Sequence, residues 1–341
     1  MEKAESLCTY LAKAADGISL SYEESQDAMD LIMSGKATSA QVAAFLTALR
    51  MKGETIDEIS GLARGMRDKA AKIEGEKDAV EIVGTGGDLA KSFNISTTSA
   101  FVIAASGVKV AKHGNRSVSS KSGAADVLEA LGVKIQSTPE TAKQALDTIG
   151  ISFLFAQSYH TSMKYVGPVR KEMGIRTVFN ILGPLTNPAE TDYNVIGSYS
   201  NELLPVLANV MKKLNTKHTL VIHGNDGLDE ASISDSTSVA ELVNGEIKEY
   251  TITPEEFGLK RGKKEDVVGG TAQDNAKITL GILKGEIVDS KRDIVLLNSG
   301  LALYAAGKTS SIKEGVELAK ELIDSKKALE KLNALIEFTN R

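Results

Sequence analysis

A single cysteine, Cys8, occurs among 341 residues, so no disulfide can form within the chain. No stretch approaches the roughly 18 consecutive apolar residues of a membrane-spanning helix, and even the alanine-rich runs are broken by polar side chains. The N-terminal residues alternate charged and apolar side chains where a secretory signal needs an unbroken apolar centre; with the lone thiol, this leads us to expect a cytoplasmic protein without membrane attachment. Proline is scarce at six, and three of the six fall within residues 168–188. Positive charge is not in excess either. The formal net charge of −5 speaks against a general nucleic-acid partner, which requires a basic face or stripe. Anionic ligands stay open, because they need only local lysines, backbone N–H groups or a metal.

The remaining composition, 42% hydrophobic and 25% charged with 30 glycines, is that of an ordinary globular protein, with neither low-complexity segments nor an internal repeat. The length exceeds that of one usual domain and suggests two unequal ones, or one large domain with a helical annex. Three helix starts are legible in the first seventy residues as capping boxes. Ser21 with Glu24 precedes Ala28, Leu31 and Ile32, with Gly35 as the stop; Thr38 with Gln41 precedes Val42, Phe45, Leu46 and Leu49; Thr55 with Glu58 precedes Ile59, Leu62, Ala63 and Met66. From about Ala79 the pattern turns to α/β alternation. Residues 79–83, 108–111, 151–155, 219–222 and 294–297 read as strands, and 97–105, 124–131, 301–306 and 312–323 as helices. The proline-rich segment 168–188 reads as a crossover rather than a regular element.

Four segments carry chemistry. Gly84-Thr85-Gly86-Gly87-Asp88 directly follows a strand, and its glycines let backbone N–H groups approach a phosphate; a tight strand-to-helix turn explains the same residues. Ser92 and Asn94-Ile95-Ser96-Thr97 lead into a helix N-terminus, which suits a phosphate or pyrophosphate and equally suits plain capping. Lys112-His113-Gly114-Asn115-Arg116-Ser117-Val118-Ser119-Ser120 gathers cations, an amide and hydroxyls after the next strand, where consecutive strand ends share one crevice. Asp229-Glu230 follows the strand at 219–222 through His223-Gly224-Asn225-Asp226-Gly227. It is a plausible Mg²⁺ pair, with Asp226 a competitor that spacing does not exclude. His160 and His218 lack metal-ligand spacing and read as structural, and the basic run 260–264 reads as an exposed turn.

In this order and spacing the four segments closely resemble the anthranilate phosphoribosyltransferase family. Val166-Gly167-Pro168-Val169-Arg170 and the run from Phe179 to Pro188 resemble its linking segment. The resemblance implies a fold of the nucleoside phosphorylase and phosphoribosyltransferase type, α/β with a small helical domain. Residues 1–72, joined by part of 166–190, would form the helical domain, and 73–165 with 191–341 the α/β domain. It assigns phosphoribosyl pyrophosphate to Gly84, Gly87, Asp88, Ser92, Asn94, Ile95, Ser96, Thr97, the whole run Lys112 to Ser120 and Ala124. It assigns anthranilate to Gly84, Asn115 and Arg170, and magnesium, two ions per monomer, to Ser96, Asp229 and Glu230. No general base is implied. A free-standing homodimeric enzyme of tryptophan biosynthesis is the expectation, with a pyrimidine nucleoside phosphorylase or a non-catalytic nucleic-acid binder as alternatives. The chain departs from the family pattern at Tyr159-His160-Thr161-Ser162, beside the expected anthranilate channel. It departs again at Ser299-Gly300, where a packing change is expected.

Overall fold

A computed structural model describes residues 6–88, 90–117 and 121–341. The chain opens with four helices, α1 (Leu7–Ala15), α2 (Tyr22–Met33), α3 (Ser39–Lys52) and α4 (Ile56–Asp68). The expected capping boxes start α2, α3 and α4: Ser21, Thr38 and Thr55 each accept the N3 backbone N–H while the N3 Glu or Gln returns the bond. Close contact between α2 and α4 depends on missing side chains, since a Cβ at Gly61 would run into the Tyr22 carbonyl.

Alternation then follows: β1 (Val80–Gly84), α5 (Ile95–Ala105), β2 (Val110–Gly114), α6 (Ala124–Ala130), α7 (Pro139–Ile149) and β3 (Ile151–Phe155). The proline-rich segment is more regular than expected, holding α9 (Gly167–Met173) and α10 (Phe179–Leu182) after a short α8 (Ala156–Tyr159). Proline sits near the start of α9, where a missing N–H costs nothing. Beyond it come β4 (Tyr193–Gly197), α11 (Leu204–Lys213), β5 (His218–Gly224), β6 (Thr237–Val243) and β7 (Glu246–Ile252). The chain closes with α12 (Ala272–Leu283), α13 (Ser290–Ala305), α14 (Ile312–Asp324) and α15 (Lys327–Thr339).

The expected strand at 294–297 is instead the middle of α13, buried on every side. An all-apolar run of four cannot distinguish a buried strand from a buried helix by period. Asn298 settles it locally: its Nδ2 donates back to the Ile294 carbonyl one turn earlier and to the Ala231 carbonyl, while its Oδ1 accepts Ala231 N. At Ser299-Gly300 the helices α13 and α14 cross closely, because a Cβ at Gly300 would come within 2.8 Å of Val316 N on α14.

The seven strands lie in the order β3-β2-β1-β4-β5-β6-β7, parallel from β3 to β5 and antiparallel thereafter. Chain order runs outward in one direction from β1 to β2 and β3, and in the other from β4 to β5. The carboxyl ends of β1 and β4 therefore flank a topological switch point, where open α/β sheets hold ligands. Alternate strand residues enter different cores. Val195 and Leu220 pack with α5 and α13, whereas Ile196 and Val221 join a second core with α11, the linker and all four N-terminal helices.

Candidate active site

Gly84 and Gly197 face each other in register at the carboxyl ends of β1 and β4. A Cβ on either would collide with Asp229, on its carboxylate at Gly84 and on its carbonyl at Gly197. Asp229 thus fills the crevice at the switch point, and its Oδ2 accepts Gly86 N at 2.7 Å. Asp88 lies alongside, 3.4 Å from Asp229 N.

Glu230 turns the other way, to the N-terminus of α5, where its carboxylate faces the backbone N–H and the hydroxyl of Ser96. That end of the helix has no side-chain cap of its own, because Asn94 is engaged elsewhere. Asn94 Oδ1 accepts Ser122 Oγ at 3.1 Å and Asn275 Nδ2 at 2.9 Å, so the positive end of the helix dipole is open to an acceptor. Lys112 completes the centre: its buried ammonium donates to the Ile82 carbonyl at 2.7 Å and to Ser96 Oγ at 3.3 Å.

The electrostatics are lopsided. Burial raises the Asp229 carboxyl well above its usual range, with Asp88 and Glu230 adding repulsion. Burial also pushes Glu230 up to about 7 against the pull of Lys112. Three carboxylates around one buried ammonium have an unmet need for positive charge. The donor set of Asp229, Glu230 and the Ser96 hydroxyl is all oxygen, which fits a hard divalent cation. Among the described residues no three acidic or histidine ligands form a closed cage. Such a site therefore suits magnesium completed by water and phosphate rather than a protein-only coordination shell. Asp226, the competing candidate, is turned aside and accepts Ser232 Oγ at 2.8 Å and the Ser234 hydroxyl.

Other expected residues are distributed unevenly. Gly87 and Asp88 are in the turn, Ser92 bridges to Val268, and Ala124 lies beside Gly114, whose Cβ would come within 3.0 Å of it. Ile95 and Thr97 point into the core, leaving only their backbone for a ligand. The Arg116 guanidinium is held on α6 by Asp126 at 3.0 Å and Glu129 at 2.5 Å, over the Phe155 ring, and so points away from the turn. Ser117 N donates to Asp126 Oδ2 at 3.0 Å. Asn115 is exposed and accepts Gln157 Nε2 at 3.3 Å. Arg170, half-buried over Phe179 at 5.3 Å, has no carboxylate partner among the described residues, and burial lowers its pKa. Val118, Ser119 and Ser120 lie outside the described residues.

The foot of the linker is pinned to β1 and β2 by groups that sequence reasoning missed. Glu81 accepts His113 N at 3.0 Å and the Asn187 amide, which also donates to the Ala111 carbonyl at 2.8 Å. A lone carboxylate in the strand Val80-Glu81-Ile82-Val83 was the available signal. The His113 ring faces the Gly183 backbone and the His160 ring that of Thr186. Their rings meet at 5.1 Å, and neither Nε2 has a described partner. His160 therefore belongs with His113 in this anchor. Tyr159 is buried in a small core with Ile73, Leu146 and Leu154, with its hydroxyl on Ser137 at 3.0 Å.

Comparisons with known proteins agree on one kind of relative. Residues 9–70 match the helical bundle domain of a glycosyl transferase family, and residues 76–329 match the a/b domain of such a family. The anthranilate phosphoribosyltransferase of Methanobrevibacter smithii is 54% identical over 97% of this chain and 98% of its own. The solved anthranilate phosphoribosyltransferase of Thermus thermophilus superposes with a TM-score of 0.93 at 43% identity, over 97% of this chain and 99% of that one. The Saccharomyces cerevisiae enzyme in complex with PRPP and Mg gives 0.91 at 29%, over 98% of both chains.

Proposed function

The chain belongs to the anthranilate phosphoribosyltransferase family, and from that premise we propose how its residues divide the work of the reaction. The enzyme transfers the phosphoribosyl group of 5-phosphoribosyl 1-pyrophosphate to the amine of anthranilate. The products are N-(5-phosphoribosyl)anthranilate and pyrophosphate, in the second step of tryptophan biosynthesis from chorismate. The observation that carries the division of roles is Asp229 lodged between Gly84 and Gly197 at the switch point, with Glu230 beside it on α5.

Breaking the bond from ribose C1 to pyrophosphate leaves a cation-like sugar and a highly charged leaving group. Charge neutralisation and alignment are the main tasks. Gly84, Gly87, Asp88, Ser92 and the backbone from Asn94 to Thr97 bind phosphoribosyl pyrophosphate, with Lys112 serving the pyrophosphate. Gly114 and Ala124 shape the pocket, and Lys112 to Ser120 follow the same assignment. Magnesium, held by Asp229, Glu230 and the Ser96 hydroxyl, supplies charge compensation for pyrophosphate, with two ions per monomer. Gly84, Asn115 and Arg170 take anthranilate, the unpaired guanidinium facing its carboxylate. The aromatic amine attacks as the neutral form, so no residue is assigned as general base.

The helical domain comprises 1–72 with part of 166–190, and 73–165 with 191–341 form the α/β domain. Exposed Ile18 in the loop after α1 and Met51 near the end of α3 support a homodimer formed through that domain. Among the described residues no helix is long and apolar enough to cross a membrane, which accords with a cytoplasmic enzyme.

Anthranilate fluorescence provides the test, with purified protein, phosphoribosyl pyrophosphate and Mg²⁺ each omitted in turn. Consumption that needs all three supports the reading. Folded protein that leaves anthranilate untouched, or that releases base from a nucleoside with phosphate, overturns it.

A further inference from the structure

Beside the glycine turn, one exposed cation has only uncharged partners among the described residues. Arg176 stands between α9 and α10, on the linker that also carries Arg170. Its guanidinium lies over the Tyr199 ring at 4.3 Å, and its Nη2 donates to the Gly87 carbonyl at 2.6 Å. Its own carbonyl accepts Arg50 Nη1, near the end of α3, at 2.6 Å. Tyr199 is fixed to the same turn, since its N–H donates to Thr85 Oγ1 at 3.1 Å. A chain of contacts therefore runs from the helical bundle through the linker to the glycine turn.

The contact with Gly87 has a directional consequence. A trans peptide is planar, so the Gly87 carbonyl and the Asp88 N–H point in opposite directions. Gly86 and Gly87 both have positive φ, 71° and 78°, in a conformation that glycine leaves readily for others. Within the described residues, the one side chain that bonds the Gly87 carbonyl is Arg176. We propose that Arg176 is a positioning residue for the phosphate turn. By holding the Gly87 carbonyl on the linker side, it presents the next N–H to phosphoribosyl pyrophosphate and joins that turn to the segment bearing the anthranilate site. A neutral carbonyl and an aromatic ring suffice for this, and among the described residues no carboxylate pairs with the guanidinium. The proposal rests on the function given above.

Steady-state kinetics of Arg176→Ala and Arg176→Lys beside the unaltered enzyme test it. The alanine variant is expected to raise KM for phosphoribosyl pyrophosphate about tenfold, the factor for losing one charge-assisted hydrogen bond. KM for anthranilate should stay within about twofold, and the melting midpoint of the ligand-free protein should be unchanged, because an exposed contact contributes little to stability. Lysine keeps a donor for the carbonyl and should recover part of the loss. An unchanged KM for phosphoribosyl pyrophosphate overturns the proposal, as does an equal rise for both substrates, which would mark general loosening. Failure of the unaltered enzyme to consume anthranilate would instead sink the functional reading itself.

Discussion

The Arg170 guanidinium is half-buried, stacked on Phe179, and without an opposing carboxylate among the described residues. An arginine desolvated in this way is stabilised when a carboxylate arrives, so Arg170→Ala should raise KM for anthranilate by about 30-fold while kcat falls less, which initial-rate kinetics will show. Asp229→Ala should do the reverse, cutting turnover and raising the Mg²⁺ needed for half-maximal rate, with KM for anthranilate nearly constant. His160 gives a pH prediction. Burial lowers its pKa from 6.5 to about 4, so the folded protein refuses a proton that the unfolded chain accepts. Its contribution to stability is complete above pH 6.5 and is lost as pH falls toward 4, a change of about 3 kcal/mol. Denaturant midpoints between pH 7.5 and 4.5 should therefore fall more steeply in the unaltered protein than in His160→Asn. Parallel slopes would refute the assignment. At this scale the segments proposed to bind phosphate were easy to single out because they follow their strands, β1 and β2, in sequence. Glu81 and Asn187 were not, because they meet only when the linker returns to the sheet 106 residues later.

Elements were legible where side-chain chemistry is local. The capping boxes of α2, α3 and α4 need only residues three apart, and all three hold in the structure. The strand Ile151–Phe155 was placed correctly, whereas β4, β6 and β7 went unread and 294–297 was taken for a strand. β7 loses its alternation at Lys248-Glu249 and lies at the sheet edge with little burial, and α13 is buried all round from Ile294 to Leu303, so neither shows a clean amphipathic period. The crevice between β1 and β4 depends on glycine for space rather than for a left-handed backbone. Gly197→Ala places a Cβ on the Asp229 carbonyl and must displace the acidic pair, costing about 1–3 kcal/mol of stability and most of the activity. Gly167→Ala, at the start of α9 with nothing within 4 Å, should be neutral or stabilising by a few tenths of a kcal/mol. Melting midpoints and kcat of the two variants check the contrast, and similar losses in both would show that the crevice is not the constraint.

At the scale of the whole molecule, the N-terminal helices do not close a core of their own. Phe45, Leu49 and Leu62 share one apolar cluster with Leu182 of the linker, Ile196 of β4, Val221 of β5 and Leu207 of α11. Separating the helical bundle from the sheet would expose that shared surface on both parts, at about 25 cal/mol for each Å² of apolar area. The two parts should therefore unfold together. Thermal unfolding followed by far-UV circular dichroism and by tyrosine fluorescence, whose probes include Tyr10 in the bundle and Tyr193 in the sheet, should give one coincident transition. Phosphoribosyl pyrophosphate with Mg²⁺ at a hundred times its dissociation constant should then move that single transition as a unit, by the equivalent of about 2.7 kcal/mol, although the site proposed for it is mainly on the α/β side. An earlier transition confined to the helical probes, unmoved by ligand, would mean that the shared core and the linker anchor do not couple the bundle to the site. In that case anthranilate held by Arg170 and the phosphate turn fixed through Arg176 would act independently. A single shifted transition makes the linker, with Glu81, Asn187 and the two imidazoles at its foot, the structural reason that both substrates bind one unit.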